Sequence, residues 1–536
     1  MAQPDNATLA ERLEALASLL DLSGASFYSV RAYRRAAELI RSTPADVALL
    51  VRSGRVRELA GIGGSIEGKL RELVETGRLA ELEELEATVR PELVGLARLV
   101  GLAPQRLVQI GTTLGVSNAD ELREAAAAQR LRQLPGIGPA TEAKILAALE
   151  RPRIEPRRGL TLNRALELTK TIAERLGGVA AGDARRFGDL SHQLAVVVAS
   201  DDADAVVARF GELPEIVSIA ERAAGGALGV TVDGVPVELV VARAHELGTA
   251  LLRATGSAAY VEALGALPLA ADEHGVYDAL GVSFLPPELR EAPYSGLTPA
   301  LVERAAIRGD LHVHTTWSDG RNSVLEMAEA AIALGYEYLA ICDHTRSVRV
   351  VPGLDADDVR RQGEEIAAAN ERLAPFRVLR GIECDILNDG SLDLPDDVLC
   401  ELDWVQASVH AGQRQSRDQL TQRTLAAIEH PAVRSISHPQ GRILNHRPPN
   451  AVDLDAVYDA CAATGTAVET NGLPDRIDLS AAHLRDAVSA GVAITCSTDA
   501  HSVGGLQNMR LAVGTARRGW CTAADVLNTR PLDEIV

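Results

Sequence analysis

Cysteine is sparse in this chain, and long apolar runs are missing from it. The six cysteines stand at positions 342, 384, 400, 461, 496 and 521, and none forms a Cys-x-x-Cys pair. That spacing speaks against a disulfide framework and for a reduced, cytoplasmic setting. No uninterrupted apolar stretch approaches the roughly 18 residues that a membrane helix needs. The opening MAQPDNATLAERLE is acidic and lacks the basic and apolar regions of a signal peptide. Low-complexity tracts are also missing. The expectation is a cytoplasmic monomer with no membrane part.

At 536 residues the chain is too long for one ordinary core, so three or four domains are expected. Its net charge of −20 is unevenly spread. Residues 1–156 hold 20 Lys and Arg against 21 Asp and Glu, whereas the remainder holds 34 against 53. The acidic surplus excludes a strongly basic nucleic-acid binder, and only the N-terminal part has a field that would not repel a phosphate backbone.

Seven short apolar runs in the C-terminal part each end in a polar residue, nearly always a histidine or an acid: DLHVH (310–314), YLAICDH (338–344), FRVLRGIE (376–383), WVQASVH (404–410), VRSISH (433–438), TAVETN (466–471) and VAITCSTDAH (492–501). Helical stretches such as SVLEMAEAAIALG and LRDAVSAG separate several of them. Strands alternating with amphipathic helices predict a parallel sheet. In a (β/α) barrel the C-terminal strand ends carry the chemistry, so these residues would converge there. Histidines and carboxylates gathered in this way are metal-ligand chemistry. His312 and His314, two apart on a strand, point to one face. His-x-His alone is weak, but Asp319, His344, Glu383, His410, His438, Asp499 and His501 follow at or near other strand ends, and burying so many polar groups without ligands is costly.

Toward the N-terminus, residues 1–80 read as short helices, closing on LAGIGGSIEGKLRELVETG. A related pattern recurs at 131–149, LRQLPGIGPATEAKILAALE, with a degraded copy between them in LVGLARLVGLAPQRLVQIGTTLGV. Gly61 and Gly63, and Gly136 and Gly138, satisfy a tight turn and leave N–H groups exposed at a helix N-terminus, where a phosphate is favoured. An αα-hairpin without a ligand would look the same for one copy; the repetition favours DNA-backbone binding. RPRIEPRR (151–158) and FLPPELREAPYSGLTP (284–299) are linkers. Between them a helix, LTLNRALELTKTIAERLG, precedes LSHQLAVVVAS and ALGVTVDGVPVELVVA, strands of a mostly antiparallel sheet.

Along essentially its whole length the chain resembles the bacterial family X DNA polymerases with a C-terminal PHP (polymerase and histidinol phosphatase) domain. SFYSVRAYRRAAELI and ELAGIGGSIEGKLRELVETGRL are similar to the family's first helix-hairpin-helix domain. RGDLHVHTTWSDG, CDHT, GIECDIL, SVHAG, SHPQGR and STDAHS match the PHP motifs. The resemblance implies a multidomain protein: an all-α helix-hairpin-helix domain (1–82), a fingers-like helix-hairpin-helix domain (83–156), an α+β palm-and-thumb-like domain (157–298) and an α/β distorted (β/α)7 PHP barrel (299–536). It also implies three divalent metals, Zn or Mn and possibly Fe, held by His312, His314, Glu383 and Asp499; by Glu383, His410 and His438 with the glutamate bridging; and by Asp319, His344 and His501. Glu383, Asp499 and His410 are taken as the catalytic members. Such metals activate water for attack on phosphorus and neutralise developing oxyanions. Asp343 would support a ligand or cap its loop, Arg442 and Asn471 are candidates for orienting a phosphate, and Cys342, Cys384 and Cys496 belong to the core.

The polymerase centre departs from the family pattern. Family members show Gly-Ser followed by two arginines, then Asp-x-Asp on a strand and a third acid on its neighbour. Here Gly182, Arg185 and Arg186 remain, but the serine position reads Asp183 and the paired acids read Gln193 and Ala195, leaving Glu238. An aromatic pair before Thr-Gly-Ser reads Arg253 and Ala254. Two-metal nucleotidyl transfer needs clustered carboxylates, so the body is expected to be inactive in synthesis. Lys69 stands where some family members use a lysine for 5′-deoxyribose-phosphate excision; a solvated lysine that touches phosphate is the simpler expectation. The function expected is a metal-dependent phosphoesterase acting on gapped, nicked or 3′-end DNA: a 3′→5′ exonuclease or an abasic-site or 3′-end-processing nuclease. A histidinol-phosphatase-like monoesterase, a repair scaffold with structural metals and a still-active gap-filling polymerase are the alternatives.

Overall fold

A computed structural model describes residues 4–23, 26–43, 45–59, 61–88, 104–116, 119–134, 136–150, 159–348 and 351–536. The linker at 151–158 and residues 93–103 of the degraded hairpin copy lie outside them. The chain's contacts gather into two compact units. One takes 1–157, 172–178 and 200–241; the other takes 158–171, 179–199 and 242–536. The segment 157–298, expected as one domain, therefore contributes to both units, and the two expected helix-hairpin-helix domains fall within one. No helix among the described residues is long and apolar enough to cross a membrane.

The first unit opens with helices Asn6–Ser23 and Phe27–Ser42, whose apolar faces bury Leu9, Leu13, Leu16 and Ile40 together with Ile66 and Leu70. Ser26 starts the second helix by accepting from Ser29 N at 3.2 Å, a side-chain cap for a donor the helix cannot satisfy itself. The two glycine hairpins are built alike. A helix (Val47–Arg52; Ala119–Ala127) leads to one 3₁₀ turn (Val56–Glu58; Leu131–Gln133) and then to a second helix (Gly64–Thr76; Pro139–Glu150). The 3₁₀ turn is a refinement on the expected helix–turn–helix. Gly61 and Gly136 have φ of +100° and +79°, a backbone that L side chains resist. Ile62 and Ile137 are buried beside them, pinning each turn so that its glycines face solvent. Strands Ile216–Ala223, Gly226–Thr231 and Pro236–Ala242 pair antiparallel in sequence, as expected.

The second unit is dominated by seven parallel strands: β1 Gly309–Val313, β2 Tyr338–Ile341, β3 Arg377–Asp385, β4 Trp404–Ser408, β5 Val433–Ile436, β6 Ala467–Asn471 and β7 Ile494–Ser497. Each pairs with the next in sequence. The sheet closes on itself where His314 N donates to Ala500 O at 2.9 Å and Asp499 N donates to His312 O at 3.0 Å. Helices cover the outer face, so the strands are buried on both sides, which is why they read as near-continuous apolar runs. Full capping boxes start the helices that follow Ser323, Asp355 and Ser416.

The rest of this unit packs against the barrel. Leu162, Leu444, Ile477 and Leu511 share one buried cluster with Phe187 and Leu190 at its margin. Asp189 lies 2.8 Å from Arg442 Nη2 and 3.5 Å from Arg518 Nη1. Val179–Ala181, a strand that the sequence did not single out, pairs antiparallel with Leu194–Ala199. Helices Leu247–Thr255, Ala258–Leu264 and Glu273–Leu280 surround Leu252, Tyr260 and Tyr277.

Candidate metal centre

All nine expected ligands meet at the C-terminal mouth of the barrel. Nε2 of His312 and Nε2 of His314 are 3.1 Å apart. Glu383 Oε2 lies 3.6 and 3.7 Å from these two atoms, and Asp499 Oδ1 lies 3.9 and 3.1 Å from them. The other oxygen of Glu383, Oε1, is 2.9 Å from His438 Nε2 and 3.4 Å from His410 Nε2. One carboxylate thus faces two groups of histidines at once. Asp319 Oδ2 is 3.2 Å from His501 Nε2, and Asp319 Oδ1 is 3.7 Å from His344 Nε2. The groups overlap more than the sequence suggests. His314 turns Nδ1 toward Asp319 at 3.7 Å, and His344 brings Nδ1 to 2.8 Å from Glu383 Oε2.

The backbone is bent to make this possible. His438 and Asp499 leave their strands with φ of +28° and +52°, a sparsely allowed conformation that clusters at functional sites. Asp319 arrives on a loop that folds back so tightly that a Cβ at Gly320 would sit 2.6 Å from backbone atoms of His314 and Thr315. Asp343 holds that loop: it accepts from Thr315 N at 2.8 Å, Thr315 Oγ1 at 2.6 Å and Gln362 Nε2 at 2.7 Å, and from Ser318 Oγ. The supporting role expected of Asp343 is this one.

Other supports escaped the sequence. Glu469 is fully buried on β6 and faces His312 Nδ1 at 2.7 Å, while also accepting from Gln406 Nε2, Ser437 Oγ and His438 N. Asp385, also buried, accepts from His410 N at 2.9 Å. Glu469 stands two residues before Asn471, on the same face of its strand, the one signal that could have found it. Arg442 and Asn471, candidates for a phosphate, are engaged otherwise: Arg442 with Asp189 and the Ile477 carbonyl, Asn471 with Asp499 Oδ2 at 2.9 Å. Cys342, Cys384 and Cys496 are buried, as expected.

Electrostatics divide the histidines. Burial opposes charge on His312, but Glu469, Asp499 and Glu383 together raise its pKa well above the ordinary value. Burial, with the charges of His501 and His344, pushes His314 down to about 3. Glu383 and Asp499 are held well below the carboxylate range by surrounding histidines despite their burial. Several ring nitrogens are buried with no hydrogen-bond partner, among them His314 Nδ1, His438 Nδ1 and His410 Nε2. Partnerless ring nitrogens beside carboxylates fit divalent cations.

Residues 310–444 match the model of the PHP domain, and residues 4–79 match that of a helix-hairpin-helix domain. Over 560 aligned residues, 98% of this chain and 97% of its relative, the sequence is 33% identical to the DNA polymerase/3′-5′ exonuclease PolX of Bacillus subtilis. The chain belongs to the PolX family. Its C-terminal part is also similar to proteins described as probable phosphatases: one of Acetivibrio thermocellus, 29% identical over 36% of this chain and 78% of the relative, and one of Thermoanaerobacter sp. (strain X514), 28% identical over 41% and 89%.

Within this PolX member the positions of the polymerase centre are occupied as follows. Ala195 is buried in its strand opposite Ala181, and Gln193 is exposed just before that strand. Glu238 is exposed on Pro236–Ala242. The acids nearby in sequence are placed elsewhere: Asp202 caps helix Ala203–Gly211, and Asp189 pairs with Arg442 and Arg518. Asp183 accepts from Arg186 Nη2 at 2.6 Å, Glu291 takes Arg186 Nε at 2.9 Å, and Arg185 is clamped on Glu273. Lys69 departs from the solvated lysine expected, being half-buried and 2.7 Å from Glu81, whose carboxylate outweighs burial in raising its pKa. Gly61, Gly63, Gly136 and Gly138 are exposed, with open space beside Gly61, Gly63 and Gly138.

Proposed function

We propose that this chain is a DNA-directed, metal-dependent phosphoesterase of repair, a 3′→5′ exonuclease or an abasic-site or 3′-end-processing nuclease, with a polymerase body that does not synthesise DNA. It is a hydrolytic enzyme, as its PHP domain and its PolX and phosphatase relatives indicate. One observation carries the reading: nine titratable side chains from six of the seven strand ends converge so that the two oxygens of Glu383 face different histidine groups.

His312, His314, Glu383 and Asp499 would hold one divalent ion, Glu383, His410 and His438 a second, and Asp319, His344 and His501 a third. Imidazole and carboxylate donors suit Zn, Mn or Fe. When bound, such ions activate water and neutralise charge on phosphorus oxygens. The protein's own share is to fix the donors: Glu469 sets the orientation of His312 through Nδ1, and Asp385 fixes the loop of His410. Glu383, Asp499 and His410 are the residues assigned to the reaction.

DNA is the partner that the helix-hairpin-helix domain and PolX membership support. Gly61, Gly63, Gly136 and Gly138 would present backbone N–H groups to phosphates, which suits gapped, nicked or 3′-end substrates bound by a monomer. Lys69, paired with Glu81, contributes to that surface only if the pair opens.

The test is purified protein with Mn²⁺ or Zn²⁺, offered labelled single-stranded, gapped and abasic DNA, with and without nucleotides, beside a generic phosphomonoester. Metal-dependent shortening from the 3′ end or cleavage at the abasic site is expected. Monoester turnover without DNA cleavage would instead favour the small-molecule phosphatase suggested by the barrel's relatives.

A further inference from the structure

The turn after β6 carries a cation whose donors go unused. Arg476 is largely buried, its Nη1 has no hydrogen-bond partner, and its guanidinium makes no hydrogen bond to any described residue. The Nε lies 3.7 Å from Asp499 Oδ2, too far to donate, and that oxygen already accepts from Asn471. Among the described residues it is the one arginine or lysine within 4.0 Å of Asp319, Glu383 or Asp499. Burying guanidinium donors without an acceptor is costly unless a ligand supplies one.

The mount of this side chain is strained and braced. Ile477, next in sequence, is buried with φ of +46°, an outlier for a β-branched residue. Such backbone persists where its surroundings over-determine it. Leu479 N donates to Glu469 O at 3.0 Å, and Asn471 N donates to Asp478 O at 2.6 Å. The Arg442 guanidinium donates to Ile477 O from the other side, itself anchored 2.8 Å from Asp189. The arginine marked by the sequence for phosphate thus braces the turn that presents another.

We propose that Arg476 is a substrate-binding residue that donates to a non-bridging oxygen of the phosphate undergoing hydrolysis. A planar guanidinium offers paired donors matched to phosphate oxygens. Placed beside Asp499, it adds positive charge where negative charge grows on those oxygens. The inference rests on the phosphoesterase reading given above.

The full chain loaded with Mn²⁺ provides the test, with inorganic phosphate as the probe in calorimetric titration and bis(p-nitrophenyl) phosphate as the diester. Arg476→Ala is expected to keep its manganese content and to bind phosphate about 10- to 100-fold more weakly, the effect of losing charged hydrogen bonds. Free guanidinium should restore part of its hydrolysis, which a mere packing defect would not allow. Arg476→Lys keeps the charge without the fork, and should fall between the two in phosphate affinity. Unchanged phosphate affinity in Arg476→Ala would overturn the assignment. So would loss of manganese, which would make Arg476 a support for Asp499. If the wild type binds phosphate but hydrolyses no diester, the phosphoesterase reading fails while the phosphate titrations still decide Arg476.

Discussion

Nδ1 of His312 lies 2.7 Å from Oε1 of Glu469, and neither side chain has any exposure to solvent. The carboxylate claims one ring nitrogen and leaves Nε2 facing Glu383 and Asp499. Glu469→Gln keeps the shape but removes the charge that fixes ring and tautomer. It should weaken metal binding about 10- to 100-fold, the usual cost of losing a partner behind a ligand. Metal titration of the purified variant measures this.

Removing a ligand should cost more than removing its support. Glu383→Ala and His312→Ala are each expected to lower nuclease activity by at least about a hundredfold. Elemental analysis should show metal lost with it. Full activity in either variant would mean that the reaction takes place elsewhere.

Template-directed extension should be undetectable with a gapped primer, all four nucleotides and Mg²⁺ or Mn²⁺. Gln193, just before strand Leu194–Ala199, and Ala195 within it supply no acid pair, and Arg186 is occupied by Asp183 and Glu291. Incorporation opposite template would refute this.

Gly61→Val and Gly136→Val place a β-branched side chain at φ of +100° and +79°. Each should cost on the order of 1–3 kcal/mol locally. The double variant is expected to lose DNA affinity and to show a shallower dependence on salt, while bis(p-nitrophenyl) phosphate hydrolysis at the barrel is retained.

Burial opposes charge on Glu273, but hydrogen bonds from Arg185 and Arg290 hold its carboxyl below the ordinary value of 4.5. A depressed acid stabilises the fold above its unfolded pKa and loses that contribution as pH falls through the folded value. Glu273→Gln, which leaves the buried Arg290 unpaired, should destabilise by about 3–5 kcal/mol near pH 7. The gap from wild type should shrink as the pH drops below 4.5, as thermal melts at several pH values would reveal.

The barrel was legible because its information is local: apolar runs of strand length, each closed by a ligand type, repeat at intervals a helix fills. Glu383 could be named for the same reason. Glu469 could not, since nothing in VETN says that its side chain meets a histidine on β1; that depends on strand order and register. The engagement of Arg442 with Asp189 and the Ile477 carbonyl was hidden for a related cause, because that arginine lies in an irregular segment where sequence gives no direction to a side chain. The packing of 157–298 could not be read either. Residues 157–298 read as one palm-and-thumb segment, whereas Leu162, Leu166, Phe187 and Leu190 from it pack with Leu444, Ile477 and Leu511.

That packing bears on how such a protein could be shortened. Cutting at the 284–299 linker would leave Leu444, Ile477 and Leu511 uncovered and would strip Arg442 and Arg518 of Asp189. The turn behind Arg476 would lose its brace at the same stroke. The segments 159–171 and 179–199 thus serve the barrel as one of its walls, and a barrel cut free of them would lose that support along with its neighbours.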